Sequence, residues 1–181
     1  MKRIVLMAVA VCLLFAAPVM AKEGFYLGVF YPSESISGDA GTNVDSGGGW
    51  GVRAGMGFNR YLAIEGHYST TNHDITGGSS GDLRCLAGDI KLSFPLTSLD
   101  SAQVMTVEPY IMAGYGHYEF APPGKTFKSD GFQYGIGIEL YLFRELSVQA
   151  GWTDTRVEFK DGGSVKGDVK TVDIGLNYHF R

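Results

Sequence analysis

The chain is 181 residues long with 19 acidic and 15 basic side chains and no basic block, so recognition of nucleic acid through a phosphate-neutralising patch is not expected. Its two cysteines are Cys12 and Cys85, and only Cys85 lies outside the N-terminal apolar run, which leaves neither a disulfide framework nor a thiol-rich zinc site. Past that run no apolar stretch has helix-spanning length, so if the remaining chain crosses a membrane it must do so with strands closed into a barrel.

Met1, Lys2 and Arg3 precede the apolar run "IVLMAVAVCLLFAA" and the small-residue segment "PVMA", the order of a secretory leader. The run is 14 residues, short of the roughly 20 that cross a bilayer as a helix. Val11 before Cys12 does not suit a lipoprotein signal. Cleavage after Ala21 is expected, with residues 1–21 as the removed signal peptide and 22–181 as one β-barrel domain.

From residue 24 onward the two-residue period and the turn signals predict eight strands, at 24–31, 49–58, 61–69, 82–94, 106–119, 131–143, 146–158 and 169–180. An even number suits an antiparallel up-and-down closed sheet. On one rim the connections centre on "NR", "PLTSLDSAQVM" and "RE"; on the other they are the polar "PSESISGDAGTNVDSGG", "TNHDITGGSSG", "APPGKTFKSD" and "KDGGSVKG". Short turns on one side and long loops on the other fit the periplasmic and extracellular ends of an outer-membrane barrel.

In the second strand Trp50, Val52, Ala54, Met56 and Phe58 alternate with Gly51, Arg53, Gly55 and Gly57; in the sixth, Tyr134, Ile136, Ile138, Leu140 and Leu142 alternate with Gly135, Gly137, Glu139 and Tyr141. A solvated face gains nothing from so many strand-weakening glycines, whereas a crowded lumen needs them beside large side chains. Aromatic residues fall at strand ends: Tyr31, Trp50, Tyr68, Tyr134 and Trp152 towards the outer rim, Phe25, Phe58, Tyr61, Phe94, Phe143, Tyr178 and Phe180 towards the inner. Two such girdles about 25 Å apart are expected at the interfaces of a membrane barrel.

The segments "GFYLGVFY", "GWGVRAGMGFNRYLAIEGHY", "EPYIMAGYGHY", "GFQYGIGIELYLFRELSVQAGW" and the closing "DIGLNYHF" together resemble the small outer-membrane beta-barrel domain family, the eight-stranded OmpA- and OmpX-like barrels. The resemblance covers essentially all of residues 22–181 and implies an eight-stranded transmembrane β-barrel in the bacterial outer membrane, surrounded by lipid and lipopolysaccharide. It also implies that the last strand, with Phe180 as its terminal aromatic, addresses the barrel-assembly machinery; Arg181 after Phe180 departs from that pattern. A tether to the cell wall of the kind larger relatives carry is not expected.

The alternation points Arg53, Glu65, His67, Asp89, Lys91, Glu139, Asp173 and His179 into the lumen, where charges withdrawn from water must pair. Glu65 is expected between Lys91 and Arg53 on its two flanking strands. Both faces of "VEPYIMAGYGHY" are mixed and Pro109 has no amide hydrogen, so the register of strand five stays open.

Three features invite enzymatic or metal readings. His67 and Ser69 resemble the His-x-Ser step of barrel-type lipid A deacylases, but His67 faces the lumen and the nearest candidate carboxylate on the next strand is Asp82. His73 and Asp74 lack metal-ligand spacing. Cys85 reads as a small lumen-facing residue rather than a nucleophile. No catalytic residue, cofactor or metal is therefore expected. The leading expectation is a non-enzymatic integral outer-membrane protein with a structural or surface-interaction role and a possible ligand at its long loops. A small ion or solute channel is the alternative, and a lipid A-modifying enzyme stands third.

Overall fold

The computed structural model describes residues 24–38, 44–96, 106–160 and 164–180; the expected leader and parts of three connections lie outside them. Eight antiparallel strands close into a barrel in sequence order: β1 (Gly24–Gly38), β2 (Gly47–Gly57), β3 (Leu62–Ile75), β4 (Ser79–Ser93), β5 (Thr106–Ala121), β6 (Phe127–Tyr141), β7 (Leu146–Lys160) and β8 (Ser164–His179). The seam between β1 and β8 is paired from Tyr26–His179 to Gly38–Gly167, so the sheet has no free edge.

Following partners once around from Tyr26 through Gly55, Glu65, Asp89, Gly114, Gln133, Thr155 and Val169 returns to β1 at Ile36, ten residues beyond the start. With strands about 4.8 Å apart and a rise of about 3.3 Å per residue, that stagger sets a tilt of roughly 40°. The enclosed space is just wide enough for side chains. Glycines make the room: a Cβ on Gly51 would run into the Phe30 ring, on Gly55 into Tyr26 and on Gly137 into Tyr110.

The strands differ from the sequence expectation at their outer ends, where β1 runs on to Gly38, β3 to Ile75, and β4, β6 and β8 begin at Ser79, Phe127 and Ser164. The reason is a reversal of which face is apolar. On β4, Leu86 and Ile90 face outward and are exposed, whereas further out Arg84 is exposed and Leu83 is fully buried. On β8, Ile174 and Val172 are exposed, and beyond them Lys170 is exposed while Val169 is buried. The chain keeps its pairing, but the outside changes from apolar to polar, so an apolar-out pattern stops before the strand does. Ile36, Leu83, Cys85, Ala87, Tyr118, Val157 and Val169 form an apolar cluster inside this outer section.

Connections expected to be long are correspondingly short. β3 and β4 are joined through residues 76–78, with Gly77 (φ 118°) and Gly78 (φ 85°) in left-handed conformations that other residues rarely adopt. At the opposite rim the side chain of Asn59 accepts the amides of Tyr61 (2.8 Å) and Leu62 (2.9 Å), closing the β2–β3 turn. β5 places Glu108, Tyr110, Met112 and Tyr118 inside, and Val107, Ile111 and Tyr115 outside. Pro109 opposes the end of β4, where its carbonyl accepts the Phe94 amide at 2.8 Å.

Candidate functional site

Period-two alternation carries the polar side chains of all eight strands into one lumen, where they form stacked tiers. In the tier nearest the inner rim, Lys91 Nζ donates to Glu139 Oε2 (2.9 Å) and Gln149 Oε1 (2.7 Å) and lies 4.3 Å from the centre of the Tyr110 ring. Glu139 Oε1 accepts from Ser147 (2.7 Å) and Asn177 (3.2 Å), with His179 Nε2 at 3.3 Å. Lys91 therefore reaches across the lumen to β6. β4, which carries Lys91, flanks Glu65 as expected, and the Tyr26 hydroxyl adds a hydrogen bond to Glu65 Oε2 at 2.6 Å.

The middle tier is built on Arg53. Its guanidinium donates to Asp173 Oδ1, lies 3.8 Å from Glu65 Oε1, and stands 4.3 Å over the Phe30 ring. Above it His67 Nδ1 is 3.2 Å from Asp89 Oδ2, and Gln133 Nε2 donates to Asp89 Oδ1 at 2.6 Å. Arg53, Glu65, Lys91 and Glu139 side chains are each at most 4% exposed. A cavity of about 30 Å³ remains among Arg53, Glu65, His67, Cys85, Tyr118, Gln133 and their neighbours, room for about two water molecules. A far larger hollow, about 980 Å³, opens on the outer wall where Ala54, Gly66, Gly88 and Ala113 leave the apolar surface low.

In the outer section His73 is fully buried. Its Nδ1 lies 2.9 Å from the Asp45 carbonyl and its Nε2 3.0 Å from Thr71 Oγ1, while the Thr71 hydroxyl donates to Glu34 Oε2 at 2.6 Å. Because Thr71 spends its only proton on Glu34, both ring nitrogens are placed to donate. Burial opposes protonation of His73, but Glu34 and the Asp45 carbonyl outweigh it and hold the imidazole above its ordinary value. Asp74 is exposed on the opposite face, so His73 and Asp74 do not converge on one ion. Ser69 is buried in the lumen, and the carboxylate beside His67 is Asp89; Asp82 bonds Asn72 on the exposed surface at 3.0 Å.

Outside, Phe25, Phe58, Phe94, Phe143, Tyr178 and Phe180 are exposed at the inner strand ends, whereas the outer set, Tyr31, Trp50, Tyr134 and Trp152, is exposed within strands that run on past it, contrary to the strand-end placement expected; Tyr61 and Tyr68 are half-buried. Trp50 packs on Tyr68 and Tyr134 on Trp152, each at 6.3 Å between ring centres. Tyr115 and Phe132, cross-strand partners on the same wall, belong with this set; the open register of strand five hid Tyr115, whereas Phe132 shares the outward phase of predicted strand six. The lumen also contains Tyr26, Tyr110, Gln133, Gln149 and Asn177, which a search for charged residues alone passes over, and Glu108, which the open register of strand five left unplaced. Gln149 and Asn177 sit on the lumen phase of predicted strands and were readable there.

A closed eight-stranded antiparallel barrel with an apolar wall and a charge-filled lumen defines the class of small outer-membrane barrels. The chain belongs to the outer membrane protein beta-barrel domain family, whose model matches residues 7–180. No curated protein sequence matches it significantly. Its structure is similar to Neisserial surface protein A (TM-score 0.67, 14% identity, covering 87% of this chain and 98% of that one). It is also similar to Ail, the attachment invasion locus protein of Yersinia pestis (TM-score 0.56, 17% identity, 87% and 99%), and to outer membrane protein AlkL (TM-score 0.54, 12% identity, 92% and 94%). The chain is thus an integral β-barrel protein of the bacterial outer membrane.

Proposed function

We propose that this barrel is a non-enzymatic platform that presents its outer strand ends and loops for contacts at the cell surface. The observation that carries this reading is the outer section, in which paired strands continue past the outward-facing aromatics with a polar exterior around the Ile36–Leu83–Val157–Val169 core. A rigid stub of this kind costs ordering entropy that a simple membrane plug does not need. Ail, a structural neighbour, has been crystallised with the heparin analogue sucrose octasulfate. The same reading takes residues 1–21 as a cleaved leader, the aromatic belts as the contact with lipid and lipopolysaccharide, and the strand ending in Phe180 as the address for the assembly machinery. The test is adhesion of expressing cells to immobilised heparin with and without the tip residues 72–82. Retained barrel assembly with lost adhesion supports the platform; unchanged adhesion refutes it.

The channel reading has less support. The lumen's charges are paired across it, and the cavity beside Arg53 and His67 holds only about 30 Å³. A lipid A-modifying role is disfavoured because His67 and Ser69 face that lumen rather than lipid.

A further inference from the structure

The lipid-facing wall is not evenly covered. Across β2, β3 and β4 one pairing row sets Ala54, Gly66 and Gly88 side by side on the outer face, and the same row continues into Tyr115 on β5 and Phe132 on β6. The row next inward holds Met56, Ile64 and Ile90, all exposed. A floor of small residues, an aliphatic inner bank and an aromatic end wall make up the hollow of about 980 Å³. Each pairing row climbs outward in a barrel of this stagger, so the hollow rises obliquely from Phe25 at the inner rim to Tyr115 and Phe132. The barrel's own packing does not demand glycine on that floor: a Cβ on Gly88 would meet nothing within 4 Å, and one on Gly66 only the Ala87 carbonyl, at 3.7 Å. Gly51, Gly55 and Gly137, which make room inside, are the opposite case. Glycine weakens a strand and leaves dispersion contacts unmade unless something else enters the gap.

Hydrocarbon already surrounds this face, so apolarity favours no occupant over another and fit decides. Two copies related by a two-fold axis would set one concave floor against another and leave the space void, whereas a linear hydrocarbon chain fills it. The charge beyond the hollow selects the lipid. On β4 the outward positions run Gly88, Leu86, Arg84, so Arg84 stands roughly 13 Å further along the strand, past the apolar wall. It is exposed, and Glu119, its cross-strand partner, is met by Lys128 at 3.4 Å; Arg84 makes no ion pair among the described residues. Outward of Tyr115 and Phe132, His117 and Asp130 satisfy each other at 2.6 Å. An unpaired guanidinium above a slot shaped for a hydrocarbon chain suits a phosphate joined to such a chain. We propose that the hollow seats one acyl chain of lipid A, the phosphorylated lipid of the outer leaflet, with Arg84 on its phosphate. The seat deepens the lipid contact included in the platform reading and does not depend on adhesion at the tips, so either can fail without the other.

The test uses the full chain expressed in cells, with the barrel extracted from outer membranes in mild detergent, washed, and weighed by native mass spectrometry so that bound lipid is identified by its mass. The wild-type barrel is expected to retain lipid A. Gly66→Leu combined with Gly88→Leu fills the floor without an internal clash and should cut retention about tenfold or more. Arg84→Gln should cut it about threefold or more through loss of a charge-assisted contact. Ala150→Leu adds bulk to the outer face of β7 between Ile138 and Ile174, away from the hollow, and should leave retention unchanged. Gel mobility of unboiled samples identifies which variants are folded. A folded wild-type barrel that carries no lipid A overturns the proposal, as does one that holds a phospholipid there instead or a dimer that the two leucines abolish. So does a folded Gly66→Leu/Gly88→Leu or Arg84→Gln barrel that retains as much lipid A as Ala150→Leu.

Discussion

Lys91 carries its ammonium group across the lumen to Glu139 and is satisfied there by Gln149 and the Tyr110 ring. Shortening it removes the ammonium that neutralises the Glu139 carboxylate in a site 1% exposed, so Lys91→Ala should cost about 3–5 kcal/mol, read as a fall in the denaturant midpoint of the refolded barrel in micelles. Lys91→Met combined with Glu139→Gln should recover much of that loss, because neither substitution leaves a lone buried charge. The glycines act by the opposite route, through lack of bulk. A Cβ on Gly55 meets the Tyr26 ring, and that ring cannot swing away without breaking its 2.6 Å bond to Glu65. Gly55→Ala should therefore destabilise by about 1–3 kcal/mol, and the loss should shrink in a Tyr26→Leu background; equal losses in both backgrounds would show that the ring is not the obstacle.

The strands themselves contain a second boundary besides their ends, the level at which the apolar face moves from outside to inside. Beyond that level the segment around Asp45 is held to β3 by the Asp45 amide on the Asp74 carbonyl (2.9 Å), by the Val44–Ile75 bridge and by His73 on the Asp45 carbonyl. Glu34 is the charged group facing His73, with Thr71 between them and Phe120 edge-on. The imidazole binds its proton more tightly folded than unfolded. Its contribution to holding this segment is accordingly complete below the ordinary imidazole value and declines as pH rises through the elevated folded one. Hydrogen exchange of the Asp45 amide, corrected for intrinsic rate, should show protection falling over that rise, and His73→Gln should make protection independent of pH there.

The same boundary explains what was legible in the sequence. Within the apolar-walled section the alternation identified all eight strands, and Arg53, Glu65, His67, Asp89, Lys91, Glu139 and Asp173 all have inward positions there. Above it the apolar face changes sides, with Tyr31 exposed and Ile36 buried on β1, so the apolar-out phase no longer fits and the extension to Gly38 reads as a loop. Partner choice was illegible for a different reason. Lys91 and Glu139 are 48 residues apart on strands that do not adjoin, and only the stagger of the closed barrel brings them together. The Ala54–Gly66–Gly88 row likewise depends on a cross-strand register that a list of outward residues does not contain.

On the scale of the whole molecule, closure and filling are one requirement. A ten-residue stagger over eight strands fixes a bore that side chains fill, and the obstructions then stand in series: the Lys91–Glu139 tier, the Arg53–Glu65–Asp173 tier, and the apolar cluster around Leu83 and Tyr118. An ion would have to shed its water at each tier, a desolvation cost of several kcal/mol. Resistances in series are not abolished by removing one of them. Wild-type barrels in planar bilayers should therefore show no stepwise conductance, and Lys91→Ala should remain silent because the apolar cluster still closes the outer end. Conductance should require widening at both levels, as in Lys91→Ala combined with Leu83→Ala and Tyr118→Ala. A wild-type conductance step that disappears in Lys91→Ala would reverse this reading and make the charge tiers the ion path itself.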